Sequence, residues 1–288
     1  MYKARQRHIN LKKLIPRLSL IILAICLIIF AVRALIASFE MKYDDTILGS
    51  VYLATEMPIP TMAPTPPPPQ IPIVEPKHEA ELVSVFNQPE KIVFLTFDDG
   101  PTNSITPQIL DVLKEKGVHA TFFVLGSSVE KNPDIAKRAV SEGHVLANHS
   151  YSHDYKLLYD GTEFFLEDIQ KTEGILLETV GEEGFVKVFR FPGGSFEDTK
   201  NPQKDALASI GYKFLDWNAL NGDAEALNVS PETLLKNIRE TTNSRRNAVI
   251  LMHDASTKRT TANALGDIID YLAPEGFQFR TLKDVPLS

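Results

Sequence analysis

Two carboxylates stand side by side in Thr96-Phe97-Asp98-Asp99-Gly100-Pro101, and the Gly-Pro behind them makes a tight turn able to aim both into one site. As a turn alone, Asp-Asp-Gly-Pro is unremarkable. The segment Asn148-His149-Ser150-Tyr151-Ser152-His153-Asp154 adds two imidazoles four residues apart. On one helical turn that spacing would put both rings on the same side, able to grip one divalent ion. With Asp99 as third donor, His149 and His153 make an open set of two nitrogens and one oxygen. The position left for water is the layout of a hydrolytic metal centre. The same donors suit iron for oxygen chemistry, and two isolated histidines are more often surface or core residues.

Three further clusters bear on that chemistry: Phe189-Arg190-Phe191-Pro192-Gly193-Gly194-Ser195, Asp216-Trp217 with Asp223 shortly beyond, and Leu251-Met252-His253-Asp254. An arginine beside Asp98 would keep that carboxylate ionised and oriented, as a general base requires. Backbone N–H groups around Gly193 could hold an oxyanion. His253 could protonate a leaving amine if a carboxylate keeps it cationic. Taken singly, each is equally a salt bridge, a turn or a core histidine.

The elements that must position these groups follow from apolar patterning. Short apolar runs at 92–97, 120–125, 144–147, 187–191, 213–217, 248–252 and 277–282 predict strands. Amphipathic stretches at 106–116, 133–142, 162–180, 203–210, 231–242 and 261–272 predict helices between them, with Ser230-Pro231 a strong helix start. Strands alternating with helices imply parallel pairing by right-handed crossovers, as a barrel or an open doubly wound sheet. In either, the site lies at the carboxyl ends of the strands. The polar clusters fall at those ends, and four of the seven histidines, His144, His149, His153 and His253, sit at strand starts or ends.

Taken in order, Thr96-Phe97-Asp98-Asp99-Gly100-Pro101, His149-Ser150-x-x-His153, Arg190-x-Pro192-x-Gly194 and Leu251-x-His253 resemble the motifs of the polysaccharide deacetylases of the NodB-homology, carbohydrate esterase family 4 type. The resemblance covers about residues 90–286. It implies an α/β fold, a distorted, incomplete (β/α) barrel of about seven parallel strands. It implies a divalent ion, zinc first with cobalt, manganese, nickel or iron as alternatives, on Asp99, His149 and His153. Asp98 would be the base, His253 the acid, Arg190 the residue orienting the base, and Leu251 the lining for an acetyl methyl. The implied reaction is removal of N-acetyl groups from a cell-wall glycan, from peptidoglycan amino sugars or chitin-like oligosaccharides. Rival readings are an esterase on acetylated xylan and a catalytically silent wall-binding module.

Two departures from the family pattern stand out. Many members carry tyrosine where this chain has Gly193, so a substrate-facing wall is expected to be lost while the backbone N–H remains. The usual Asp-Trp pair is split, since Asp223-Ala224 has the expected offset without tryptophan and Asp216-Trp217 comes early. Asp223 is the favoured partner of His253, with Asp216 as alternative, and Trp217 either stacks on a sugar or fills the core.

Charge and hydropathy place this domain. Up to Ala37 the chain carries seven bases and no acid, which leaves 23 Lys and Arg against 37 Asp and Glu beyond it. An excess of about −14 there repels phosphates and excludes nucleic acid as a partner. Residues 1–13 form a basic tail, and 14–37 contain an apolar run of roughly 20 residues, enough to span a bilayer. The positive-inside rule puts the tail in the cytoplasm and the rest outside, as a single-pass cell-membrane protein. A cleaved signal peptide is the rival reading, and both export the domain. Ile25 before Cys26 lacks the small side chain a lipoprotein signal needs. Residues 38–88, rich in proline, predict an extended linker, and 89–288 a catalytic domain expected to be monomeric.

Overall fold

The structure, a computed structural model, describes residues 83–285. Among these residues eight strands form one sheet: β1 (Ile92–Asp98), β2 (Thr121–Val124), β3 (Val145–Asn148), β4 (Phe185–Phe189), β5 (Lys213–Phe214), β6 (Ala219–Leu220), β7 (Asn247–His253) and β8 (Gln278–Phe279). Every pairing is parallel. The order is β5-β4-β3-β2-β1-β7-β6, which is the chain order run round a ring with the β5–β6 link missing. The architecture is therefore an incomplete (β/α) barrel. β7 lies along the whole of β1, whose other edge is shared by β2 at Thr96–Asp98 and β8 at Ile92–Val93.

Among the described residues eight α-helices cover the outside: α1 (Thr106–Lys116), α2 (Gly126–Lys131), α3 (Pro133–Ser141), α4 (Tyr155–Tyr159), α5 (Glu163–Val180), α6 (Asn201–Ser209), α7 (Pro231–Thr242) and α8 (Arg259–Leu272). Ser230 caps α7 by accepting from the Thr233 N–H. The expected elements are present, and β6, α2 and α4 are additions. None of the three is long enough to show a hydrophobic period. The last expected strand, 277–282, is reduced to β8.

Side-chain alternation decides what faces the barrel interior. Val93, Leu95 and Phe97 of β1 and Ala248, Ile250 and Met252 of β7 pack with helix residues such as Ile109 and Leu265. Ile92, Phe94 and Val249 belong instead to a cluster with Phe123, Val145, Ala147, Val186 and Val188 that contains no α-helical residue, and this is the barrel interior. A strand's side chains alternate, so continuing each interior series in steps of two places brings Asp98, His149, Arg190, Leu251 and His253 inward at the carboxyl ends. A one-residue slip in any strand would turn its functional side chain outward.

Among the described residues no helix is long and apolar enough to cross a membrane. The expected tail 1–13 and anchor 14–37 lie outside the described residues, as does the expected linker up to residue 82. The end of that linker belongs to the fold. Val83–Asn87 forms a 3-10 turn, and Val85 is buried in the interior cluster with Ile92, Val249 and Leu282, where its apolar side chain helps close the barrel floor.

Candidate active site

At the end of β1 the chain turns sharply, with Asp99 in the left-handed region at φ 80°. The turn fits because residue 100 is glycine: a Cβ there would overlap the carboxylate of Asp254. Asp254 is buried and accepts from the Thr106 hydroxyl at 2.6 Å. Burial, with Asp98 and Asp99 nearby, pushes its carboxyl up to about 7. Its role beneath the Asp98-Asp99 turn escaped sequence reasoning, where it appeared only as the last residue of the His253 cluster.

His149 and His153 do not lie on a helical turn. They flank a loop with Ser150 at φ 79° and His153 at φ 55°. Local polar groups hold this unfavourable backbone. Asn148 Oδ1 accepts from the Ser150 N–H, Ser150 Oγ accepts from the His153 N–H, and the Asp168 carboxylate accepts from the N–H groups of Tyr151 and Ser152. Non-glycine residues in left-handed conformations cost free energy and persist where surroundings enforce them. The three at this site enforce convergence: Asp99 Oδ1 lies 3.6 Å from His149 Nε2 and 3.4 Å from His153 Nε2.

These donors fit a divalent cation. Asp99 Oδ1 is buried without a hydrogen-bond partner, and the three ligand atoms lie within 4.8 Å of one another. His149 Nδ1 is 2.8 Å from the Arg190 carbonyl, which can only accept, so Nδ1 carries the proton and the Nε2 lone pair faces Asp99. Burial drives the His149 imidazolium down to about 3, so the ring is neutral, as a ligand must be.

Asp98 belongs to a second, buried pair. Arg190 Nη1 donates to Asp98 Oδ1 at 2.9 Å and to the Thr96 hydroxyl at 2.7 Å, Nε donates to the Leu215 carbonyl, and Nη2 to that of Asp216. The guanidinium lies 3.9 Å over the Phe123 ring. Burial raises the Asp98 carboxyl above its ordinary value, and Arg190 and His253 pull it back. The result is a more basic carboxylate than one in water, held in one orientation. Arg190→Met is expected to cost about 3–5 kcal/mol by leaving Asp98 buried without its partner. Urea unfolding checks this, and the double variant with Asp98→Asn should be more stable than Arg190→Met alone. A double variant no more stable than the single one would remove the buried charge as the cause.

His253 is paired directly with Asp98 in the β1–β7 register. Its Nδ1 is 2.7 Å from Asp223 Oδ1, while Asp223 Oδ2 accepts from the His253 N–H at 2.9 Å and the Thr261 hydroxyl at 2.7 Å. Burial opposes the imidazolium, but the hydrogen bond and charge of Asp223, with Asp98 and Asp99, push His253 up to about 9. It is thus protonated at neutral pH. Asp216, the alternative partner, instead accepts from the Ser195 N–H and hydroxyl.

Activity that needs cationic His253 is retained below about 9 and lost as pH rises through that value. In Asp223→Asn the lowering by burial meets no opposing carboxylate at Nδ1, so the alkaline limb is expected to move to lower pH. A pH–rate profile checks the shift, and an unmoved limb would take His253 out of the acid role.

Asp98, Asp99, His149, His153 and His253 line one cleft of about 340 Å³ with Trp217, Leu251 and Gly193 on its walls, while Arg190 and Asp223 stand behind it as the partners of Asp98 and His253. Tyr155, Phe191 and Lys258 line it too and were not foreseen, and Ala224, where the family pattern has tryptophan, is also part of the wall. The wall expected to be lost at Gly193 is filled from elsewhere: a Cβ on Gly193 would lie 2.9 Å from the Tyr155 ring. His144 takes no part. It sits at the opposite end of β3, accepting from the Ala120 N–H, and burial lowers it to about 4.

The polysaccharide deacetylase family matches residues 86–215, a span that stops before the strand carrying His253. A peptidoglycan-N-acetylglucosamine deacetylase of Bacillus cereus is 38% identical over 199 residues, 68% of this chain and 68% of that protein. The peptidoglycan-N-acetylglucosamine deacetylase PgdA of Listeria monocytogenes is 35% identical over 195 residues, 68% of this chain but 39% of that protein. Among solved structures, a Streptococcus mutans CE4 esterase superposes with a TM-score of 0.64 at 37% identity, covering 70% of this chain and 90% of that one. With Asp98, Asp99, His149, His153, Leu251 and His253 gathered in a single cleft at the carboxyl ends of a parallel barrel, these likenesses agree with the geometry, and the chain belongs to the polysaccharide deacetylase family.

Proposed function

We propose that this chain is a metal-dependent hydrolase that removes N-acetyl groups from a cell-wall polysaccharide, with peptidoglycan amino sugars as first substrate and chitin-like chains as second. The observation that carries the reading is the register pair Asp98 and His253, a buried carboxylate and a cationic imidazole on one cleft with the Asp99, His149 and His153 donors. The names of the Bacillus cereus and Listeria relatives support the peptidoglycan assignment.

Asp99, His149 and His153 would hold a divalent ion, zinc first, which would supply Lewis acidity towards a carbonyl and lower the pKa of water. Asp98, held by Arg190, takes a proton from the water that attacks the acetyl carbon. The developing oxyanion is met by a backbone N–H near Gly193. His253 gives its proton to the sugar nitrogen as the carbon–nitrogen bond breaks, leaving acetate and a free amine. Each positioned proton transfer is worth about 10²–10⁴-fold. Leu251 and Trp217 enclose the methyl and the sugar, and the acidic charge of the domain suits a product that becomes a cation.

Mass spectrometry of wall muropeptides and chito-oligosaccharides after incubation with the metal-loaded protein tests the assignment. Loss of one acetyl mass per modified sugar is expected. Loss only from acetylated xylan would make the chain an esterase, and retention on wall without any loss would make it a binding module. The tethered, extracytoplasmic arrangement follows the same logic: the apolar segment 14–37 and the proline-rich stretch behind it would hold the domain out towards its polymer. Fractionation of membranes with and without that segment checks this.

A further inference from the structure

Phe196 is 66% exposed, although removing an aromatic ring from water is strongly favourable. The turn that carries it is fastened on both sides. The Gly194 N–H donates to the Phe191 carbonyl at 2.7 Å, the Gly194 carbonyl accepts from Lys200 Nζ, and Ser195 donates twice to the Asp216 carboxylate. The ring folds back over Gly194, which has φ 81°, and a Cβ there would overlap it. Its edge meets Trp217 at 5.4 Å between centroids with the planes 88° apart. Trp217 in turn lines the catalytic cleft. The adjacent glycines of one turn thus make room for two aromatic rings, Tyr155 over Gly193 inside the cleft and Phe196 over Gly194 beside Trp217.

A pinned aromatic with an open face, continuous with a reaction cleft, suits a ligand that is flat and apolar on one side. The C–H face of a pyranose is such a surface, and its weakly positive hydrogens complement the negative face of a ring. The geometry points to Phe196, backed by Trp217, as a stacking subsite for the sugar next to the one whose acetyl group enters the cleft. This rests on the deacetylase reading of the cleft and deepens it: the preferred ligand is a chain of sugars rather than a single residue.

Trp217 is the only tryptophan of the chain, so its emission reports this subsite directly. The full-length protein is mixed rapidly with N-acetylglucosamine oligomers of increasing length, emission is read before turnover, and released acetate is measured in the same mixtures. The wild type is expected to bind a tetramer at least about tenfold more tightly than the monomer. Phe196→Ala should flatten that rise, and Phe196→Tyr should keep it. Equal length dependence in Phe196→Ala and wild type, or none in wild type, overturns the subsite. Length-dependent binding without acetate release leaves the subsite standing and overturns the deacetylase reading instead.

Discussion

Replacement of Asp98 by asparagine is expected to lower acetate release by about 10²–10⁴-fold, the range of a positioned proton transfer, with metal content unchanged. Asparagine keeps the size and an oxygen for Arg190 Nη1, so the fold survives. What disappears is the negative charge that accepts a proton. Because the buried Arg190 guanidinium then keeps its charge without a carboxylate to balance it, the variant should also lose about 1–3 kcal/mol of stability. Acetate assay, metal analysis and urea unfolding on one preparation separate these effects. Should the variant keep more than a tenth of the activity while folded and metal-loaded, the base lies elsewhere.

His149→Ala tests the other half of the site. His149 is buried and locked by its Nδ1–H to the Arg190 carbonyl, so its Nε2 is the most rigidly presented of the three donors. Removing it leaves one imidazole and one carboxylate, too few to retain a divalent ion in an open site. Metal content is expected to fall from one ion per chain towards none. Activity should fall by roughly 10³-fold or more, since the Lewis acid contributes several kcal/mol and about 1.4 kcal/mol corresponds to each factor of ten. The contrast with Asp98→Asn is diagnostic, one variant losing turnover with the metal in place and the other losing both. Undiminished metal content in His149→Ala would detach the ion from this cluster.

The repeating alternation of apolar runs and amphipathic stretches made β1 to β5, β7 and the longer helices legible, because hydrophobic period is a local property of twenty residues or fewer. The placing of polar clusters at strand ends was legible for the same reason: strand parity carries the inward face from Phe94 through Thr96 to Asp98, and from Val249 through Leu251 to His253. β6 and α4 left no such trace, being held by neighbours rather than by pattern. The helical turn inferred for His149 and His153 failed because Asn148, Ser150 and Asp168 offer the backbone better partners than a helix would, and only the folded loop brings Asp168 near.

From its residues alone, then, the chain determines a parallel α/β fold with polar clusters at the strand ends and Asp99, His149 and His153 as candidate donors. The closing of the sheet into an incomplete barrel, and the grouping of Asp98 with Arg190 and His253, rest on the family resemblance and on the folded chain. Which carboxylate serves His253, what replaces the missing wall at Gly193, what supports the Asp98-Asp99 turn and where Phe196 lies were decided by tertiary structure. Asp223 reaches His253 across a connection of 30 residues, Asp254 meets Gly100 and Thr106 across the β1–β7 seam, and Tyr155 and Phe196 lean on glycines of one turn. Such contacts join residues far apart in sequence. Their energies depend on distances that no local pattern encodes.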